Sequence, residues 1–144
     1  MGREVAMSEY NGKSIANFGV VRGEALVSKE LIAFWGGMSW ETGEIVEIGH
    51  RLKGVHVNGK ILVFQAGKGG AGDTFGYYYL ARNGKAPVAL ICNRGQGTTI
   101  AGALLAETPM IYDFGCDITE QIKNGDIVEV DSEKGTITII ERIE

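Results

Sequence analysis

Apolar and polar positions alternate through the first part of the chain and run together in the second. Residues 15–27, IANFGVVRGEALV, alternate loosely and are rich in valine, which predicts a strand with Gly19 and Gly23 at bulges or bends. LIAFWGG is a short apolar run ending in a glycine pair, and WETGEIVEIGHRLKG reads as turn, short strand and loop. VHVNGKILVFQ holds Asn58-Gly59 between two apolar runs, a strong hairpin signal. The first 65 residues therefore read as all-β. After them the pattern changes. Asp73 is placed to cap a helix from Thr74 to about Asn83, with Gly84 as its stop. APVALIC is continuously apolar, as expected of a strand buried on both faces. Thr98 can cap a second helix, TIAGALLAE. PMIYDF reads as a strand and DITEQIKNGD as a short helix or turn. IVEVDSEKGTITII closes the chain as a hairpin with Gly135 in a left-handed position. No repeat or linker interrupts this series. A single domain over 1–144 is expected, with residues 1–13 flexible or loosely packed.

Composition narrows the class. The 144 residues suffice for one domain with its own core. Glycine, at 22 residues, is about twice its usual share. With only two prolines, these glycines mark turns and close backbone approaches rather than a disordered linker. The net charge of −4 and the lack of a basic patch argue against nucleic acid. No apolar run approaches the ~20 residues of a membrane span. The opening residues lack a signal-peptide core, and a cytoplasmic location is expected. Cys92 and Cys116 lie far apart in apolar surroundings and read as two buried thiols, without metal-ligand spacing.

Two segments share one plan. ILVFQ-AGKGGAG-DTFGYYYL and ALIC-NRGQG-TTIAGALL each run from an apolar strand through a glycine-rich turn into a helix start. A first helical turn carries unpaired N–H groups and partial positive charge, and glycine lets a ligand approach them closely. Lys68 and Arg94 add a cation to each turn. If the strands are parallel neighbours, both turns lie at their C-terminal edge, where open α/β sheets bind ligands. Lys68, Gly69, Gly70, Arg94 and Gly95, with Gly36 and Gly37 of the tryptophan-glycine run, are thus candidates to bind a phosphate or carboxylate. No Lys-Ser/Thr follows the glycines, so this is not a Walker motif. Gly67, Gly69 and Gly72 have dinucleotide-fingerprint spacing but lack its second-strand acid.

LVSKELIAFWGGMSWETGEIVEIGHRLKG, with its F-W-G-G, T-G and H-x-L-x-G elements, resembles the swivelling small subunit of aconitase X. Gly67-Lys68-Gly69, Ala86-Pro87, Gly102-Ala103, Gly125-Asp126 and Gly135 follow in the same order. The resemblance implies an α/β fold: a swivelling β/β/α domain, similar to the small domain of aconitase, whose short strands form a barrel-like sheet with two or three helices. It implies a hydro-lyase, or dehydratase, working as a heterodimer with a large catalytic subunit. Iron or an iron–sulfur cluster would belong to that partner, with no cofactor or metal on this chain. It also implies an anionic hydroxy-acid substrate, such as phosphomevalonate or cis-3-hydroxy-L-proline. The family's glycine turn continues with a serine that would be the catalytic hydroxyl, and here Gly70 and Ala71 stand there. Thr74, Asp73 and His50 are the remaining catalytic candidates, with a cap the plainer role for Asp73 and a structural hydrogen bond an equal one for His50. A non-catalytic anion-binding or regulatory module, and a self-associating ligand-binding protein, stay open as alternatives. Trp35 suits a pocket or the core. Glu41 and Thr42 suit a solvated turn. His56 suits a strand face. Tyr77-Tyr78-Tyr79 cannot all be buried on one helix.

Overall fold

The structure, a computed structural model, describes residues 3–143. Its strands are β1 (Arg3–Asn11), β2 (Lys13–Ser14), β3 (Val20–Val27), β4 (Ile61–Phe64), β5 (Ala89–Cys92), β6 (Met110–Tyr112), β7 (Ile127–Asp131) and β8 (Thr136–Ile143). The helices are α1 (Ala71–Arg82), α2 (Gly97–Ala106) and α3 (Ile118–Gln121). All eight strands join one mixed sheet in the order β1-β8-β7-β3-β4-β5-β6-β2. β3 to β6 are parallel neighbours, and the flanking pairs are antiparallel. The two outermost strands, β1 and β2, are separated in the chain by Gly12 alone. That short link pulls the sheet's edges together into a nearly closed, barrel-like form, which also protects edge groups from pairing with other chains.

β4 and β5 are buried on both faces, as their unbroken hydrophobicity predicts. Leu62, Phe64, Leu90 and Cys92 face one core, with Phe34, Tyr77 and Ala103. Ile61, Val63, Ala89 and Ile91 face the other, with Ile118, Val128 and Ile139. This period-2 split is what lets a four-residue strand belong to two cores. α1 and α2 pack together over the first core, and the edge-on rings of Phe34 and Tyr77, 5.2 Å apart, tie α1 to the long connection between β3 and β4.

Several local expectations change. Asn58-Gly59 makes a turn, closed by Lys60 N–H donating to Val57 O, but no hairpin. The strand after it pairs in parallel with β3 and β5 instead, where it is buried on both sides. Gly23 sits in unbroken register with Val128 rather than at a bulge. There a Cβ would press on Ile61 and Val88. The segment expected to be loose contributes β1, because β8 offers it an antiparallel edge. Neither expected cap holds: α1 starts from Gly70 and α2 from Gln96, each without a side-chain cap. Cys92 is buried, and burial pushes its thiol up to about 12, whereas Cys116 is exposed on the loop before α3. The three tyrosines divide, with Tyr77 fully buried and Tyr79 exposed.

Candidate functional site

Because β4 and β5 are parallel neighbours, the two glycine turns leave the same edge of the sheet side by side. Arg94 N–H donates to Gln65 O at 3.0 Å, stitching one turn to the other. Lys68 N–H donates to Ile32 O and Ile32 N–H to Ala66 O, so the residue 29–35 segment runs alongside. The first turn also leans on α2, where a Cβ at Gly67 would collide with the Thr99 hydroxyl. A pocket of about 660 Å³ opens here, lined by Lys29, Leu31, Glu47, Gln65, Lys68 and Arg94, with Glu30 beside them.

The two helix starts differ electrostatically. At α1, Asp73 fills the positive end. Its carboxylate accepts from Gly69 N–H at 3.1 Å and from Trp35 N–H at 3.3 Å. Asp73 is buried, and desolvation raises its pKa above the ordinary value, outweighing those N–H donors and Lys68. α2 has no acid in its first turn and no side-chain cap. The Thr98 and Thr99 hydroxyls at that end are buried without a partner among the described residues. The open positive end of the pair is therefore α2.

The cations differ as well. Lys68 Nζ lies 2.9 Å from Glu47 Oε2, and Lys29 Nζ lies 2.7 Å from Glu120 Oε1. Glu30 faces Arg51 at 3.8 Å. Arg94 has no ion-pair partner among the described residues. A planar guanidinium with its charge unspent suits bidentate binding of a carboxylate or phosphate.

The other candidates are engaged in contacts within the fold. His50 is buried. Its Nδ1 accepts from Leu52 N–H at 3.0 Å, which leaves Nε2 to donate to Leu31 O at 3.2 Å. Thr74 donates to Thr98 O at 2.7 Å and holds α1 to α2. Gly37 accepts from Val46 and Glu47 N–H, which sets the Glu47 loop, while Gly36 is open to solvent beside it. Gly95 packs under the Tyr112 ring. Trp35 is half exposed and stacks near Trp40, 4.9 Å between ring centres. Lys29, Glu47 and Gln65 were not singled out in the sequence. Gln65 alone carried a local signal, as a polar residue ending an apolar strand.

The raised Asp73 pKa has a sign that can be tested. A carboxyl whose folded pKa exceeds its unfolded value contributes stability fully present below the unfolded pKa, lost as pH rises through the folded one. Wild type is therefore expected to gain stability relative to Asp73→Asn as pH falls through that window, down to the ordinary value near 3.8, with a flat difference near neutrality. Paired urea melts of the two proteins across pH check this, and a difference independent of pH would refute the buried-carboxyl account.

A parallel core edge carrying two glycine turns, on a sheet curled into a near-barrel, is the architecture of a swivel domain, here with lysine and arginine side chains along that edge. The chain belongs to the family described as the aconitase X swivel domain, which matches residues 9–139. It is 40% identical over 123 residues to the phosphomevalonate dehydratase small subunit of Archaeoglobus fulgidus, covering 85% of this chain and 92% of that protein. It is 37% identical over 123 residues to the protein of the same name from Thermococcus sibiricus, with the same coverage. The crystal structure of Thermococcus kodakaraensis aconitase X in its holo-form superposes with a TM-score of 0.85 at 33% identity, covering 92% of this chain and 98% of that one.

Proposed function

We propose that this chain is the small subunit of an aconitase X-type dehydratase acting on a phosphorylated hydroxy acid. The unpaired Arg94 guanidinium in the pocket beside Lys68 carries this reading. The relatives' shared phosphomevalonate name favours a phosphate ester over a hydroxyproline. Arg94 takes the anion, with the uncapped end of α2 adding its partial charge nearby. Lys68 joins once substrate draws it from Glu47. In this reading iron or an iron–sulfur cluster would be held by a large subunit; among the described residues no group of three or more His, Cys, Asp or Glu could hold a metal ion. No helix among the described residues is long and apolar enough to cross a membrane.

Gly70 shapes the division of labour. Its φ of 90° and ψ of 152° lie in a region open essentially to glycine, so a serine there would be strained by about 1–3 kcal/mol. This chain then binds, orients and covers substrate, and the partner handles the proton. The missing hydroxyl favours one second reading, a regulatory module that binds the same anion. Anaerobic affinity purification of the chain from its native host, with mass spectrometry, iron analysis and assay, tests both. The dehydratase reading expects a larger, iron-loaded partner in equal amount, active only with this chain. An iron-free chain purified alone would overturn it, and a partner fully active without the chain would select the regulatory reading.

A further inference from the structure

Three cations line the pocket, and two of them already hold a carboxylate. Lys29 is paired from outside it, by Glu120 of α3, which is not among the lining residues. Lys68 is paired from inside. Glu47 lines the pocket itself, and its Oε2 lies 2.9 Å from Lys68 Nζ. The other lining carboxylate, Glu30, is engaged by Arg51, whose N–H donates to it at 3.1 Å. The Glu47 carboxylate is also held in place. Gly37 O accepts from both the Val46 and Glu47 N–H groups, and Glu47 O accepts from His50 N–H at 3.2 Å. The His50 ring is fixed in turn by Leu31 O and Leu52 N–H. Glu47 Oε1 lies over Gly37, where a Cβ would come within 3.0 Å of it. The Glu47 side chain is 24% exposed, against 46% for Lys68. Lys68 sits between Gly67 and Gly69 at the end of a flexible four-carbon stem. The acceptor is therefore anchored, and the donor is the partner able to move. Asp73 is the other carboxyl in electrostatic reach of Lys68, but it is buried and accepts from Gly69 and Trp35 N–H.

We propose that Glu47 is a resident counter-ion of the pocket: it holds Lys68 while the pocket is empty, yields it to the ligand's anionic group, and takes it back as the ligand leaves. The chemistry of dehydration supplies the reason. Loss of water removes a neutral molecule, so the product keeps every anionic group of the substrate. Cations that grip the substrate therefore grip the product as well, and such uniform binding lowers KM without raising kcat. A built-in carboxylate offsets part of that grip for both and speeds release. Lys68 draws the anion in, and Glu47 limits how tightly it is held.

This inference rests on the dehydratase reading for its purpose, and its test separates the two. The purified complex with its large subunit is titrated with inorganic phosphate and, separately, with phosphomevalonate, as wild type, Glu47→Gln, Lys68→Ala and the double variant. Glu47→Gln is expected to tighten phosphate binding about 2- to 5-fold, the range of one partly exposed ion pair, and to lower KM for phosphomevalonate with kcat not raised. The loss caused by Lys68→Ala should grow by a similar factor in the Glu47→Gln background, because the lysine then has no carboxylate to surrender. Simple repulsion between Glu47 and the anion would give the same gain with and without Lys68, so only exchange produces this coupling. A Glu47→Gln complex that binds phosphate no tighter than wild type, or whose gain survives Lys68→Ala in full, overturns the Glu47 role and leaves the dehydratase reading standing. A wild-type complex that binds phosphate but not phosphomevalonate overturns the dehydratase reading, while the coupling measured with phosphate still decides the exchange. One that binds neither overturns both.

Discussion

Arg94→Ala is expected to lower kcat/KM for phosphomevalonate about 100-fold or more in the assembled pair, the usual cost of removing one partner of a buried charged contact. The loss should appear chiefly as a raised KM, because the guanidinium grips a part of the substrate remote from the bond that breaks. Lys68→Ala should cost clearly less. Lys68 must give up Glu47, at 2.9 Å, before it can serve a substrate anion, whereas Arg94 surrenders no ion pair. Steady-state kinetics on both variants, with the wild-type pair as reference, checks the ranking. Equal losses would mean that the Lys68–Glu47 pair does not persist in the complex. Unchanged kinetics for Arg94→Ala would remove it from the site.

The largest effect on stability should come from Gly76→Ala. Alanine is the better helix former by about 1 kcal/mol, so in an open helix this change would stabilise. At Gly76, however, a Cβ would run into the Phe34 carbonyl, with the Phe34 carbonyl carbon 2.5 Å away and Trp35 N at 2.9 Å. These are backbone atoms that no rotamer change can clear. A net loss of about 2–4 kcal/mol is expected, or roughly 5–15 °C in Tm. Gly97→Ala is the control. It adds the same methyl group to the first turn of α2, where nothing lies within 4 Å, and should be neutral or slightly stabilising. Thermal melts of the two variants decide the matter, and a Gly76→Ala protein melting with wild type would show that the 33–37 loop is not pinned by α1.

Both arguments depend on distances the chain order hides, and that marks how far the sequence could be read. The swivel-domain family was legible from the F-W-G-G to H-x-L-x-G stretch and the ordered glycines after it. So was the plan of two glycine turns, because strand, turn and helix start are each encoded within a few neighbours. Those turns do share one edge, since β4 and β5 are parallel. The Asn58-Gly59 hairpin failed on the same local logic. The dipeptide made its turn, but pairing was decided by which strands could bury both faces of Ile61–Phe64.

By itself, then, the amino-acid order determined the two-faced hydrophobicity of β4 and β5, the glycine turns after them, the closing hairpin around Gly135, and membership of the family. Only the tertiary structure decided which helix end is open and which cation is free. Asp73 occupies one end by reaching back to Gly69 and across to Trp35, and Glu47 claims Lys68 from 21 residues away. Gln65 became a site residue only when Asn93 and α3 were folded against it. Backbone conformation is set largely by a residue's neighbours in sequence, whereas the partner of a charge or an amide is set by whatever the fold brings within about 3 Å.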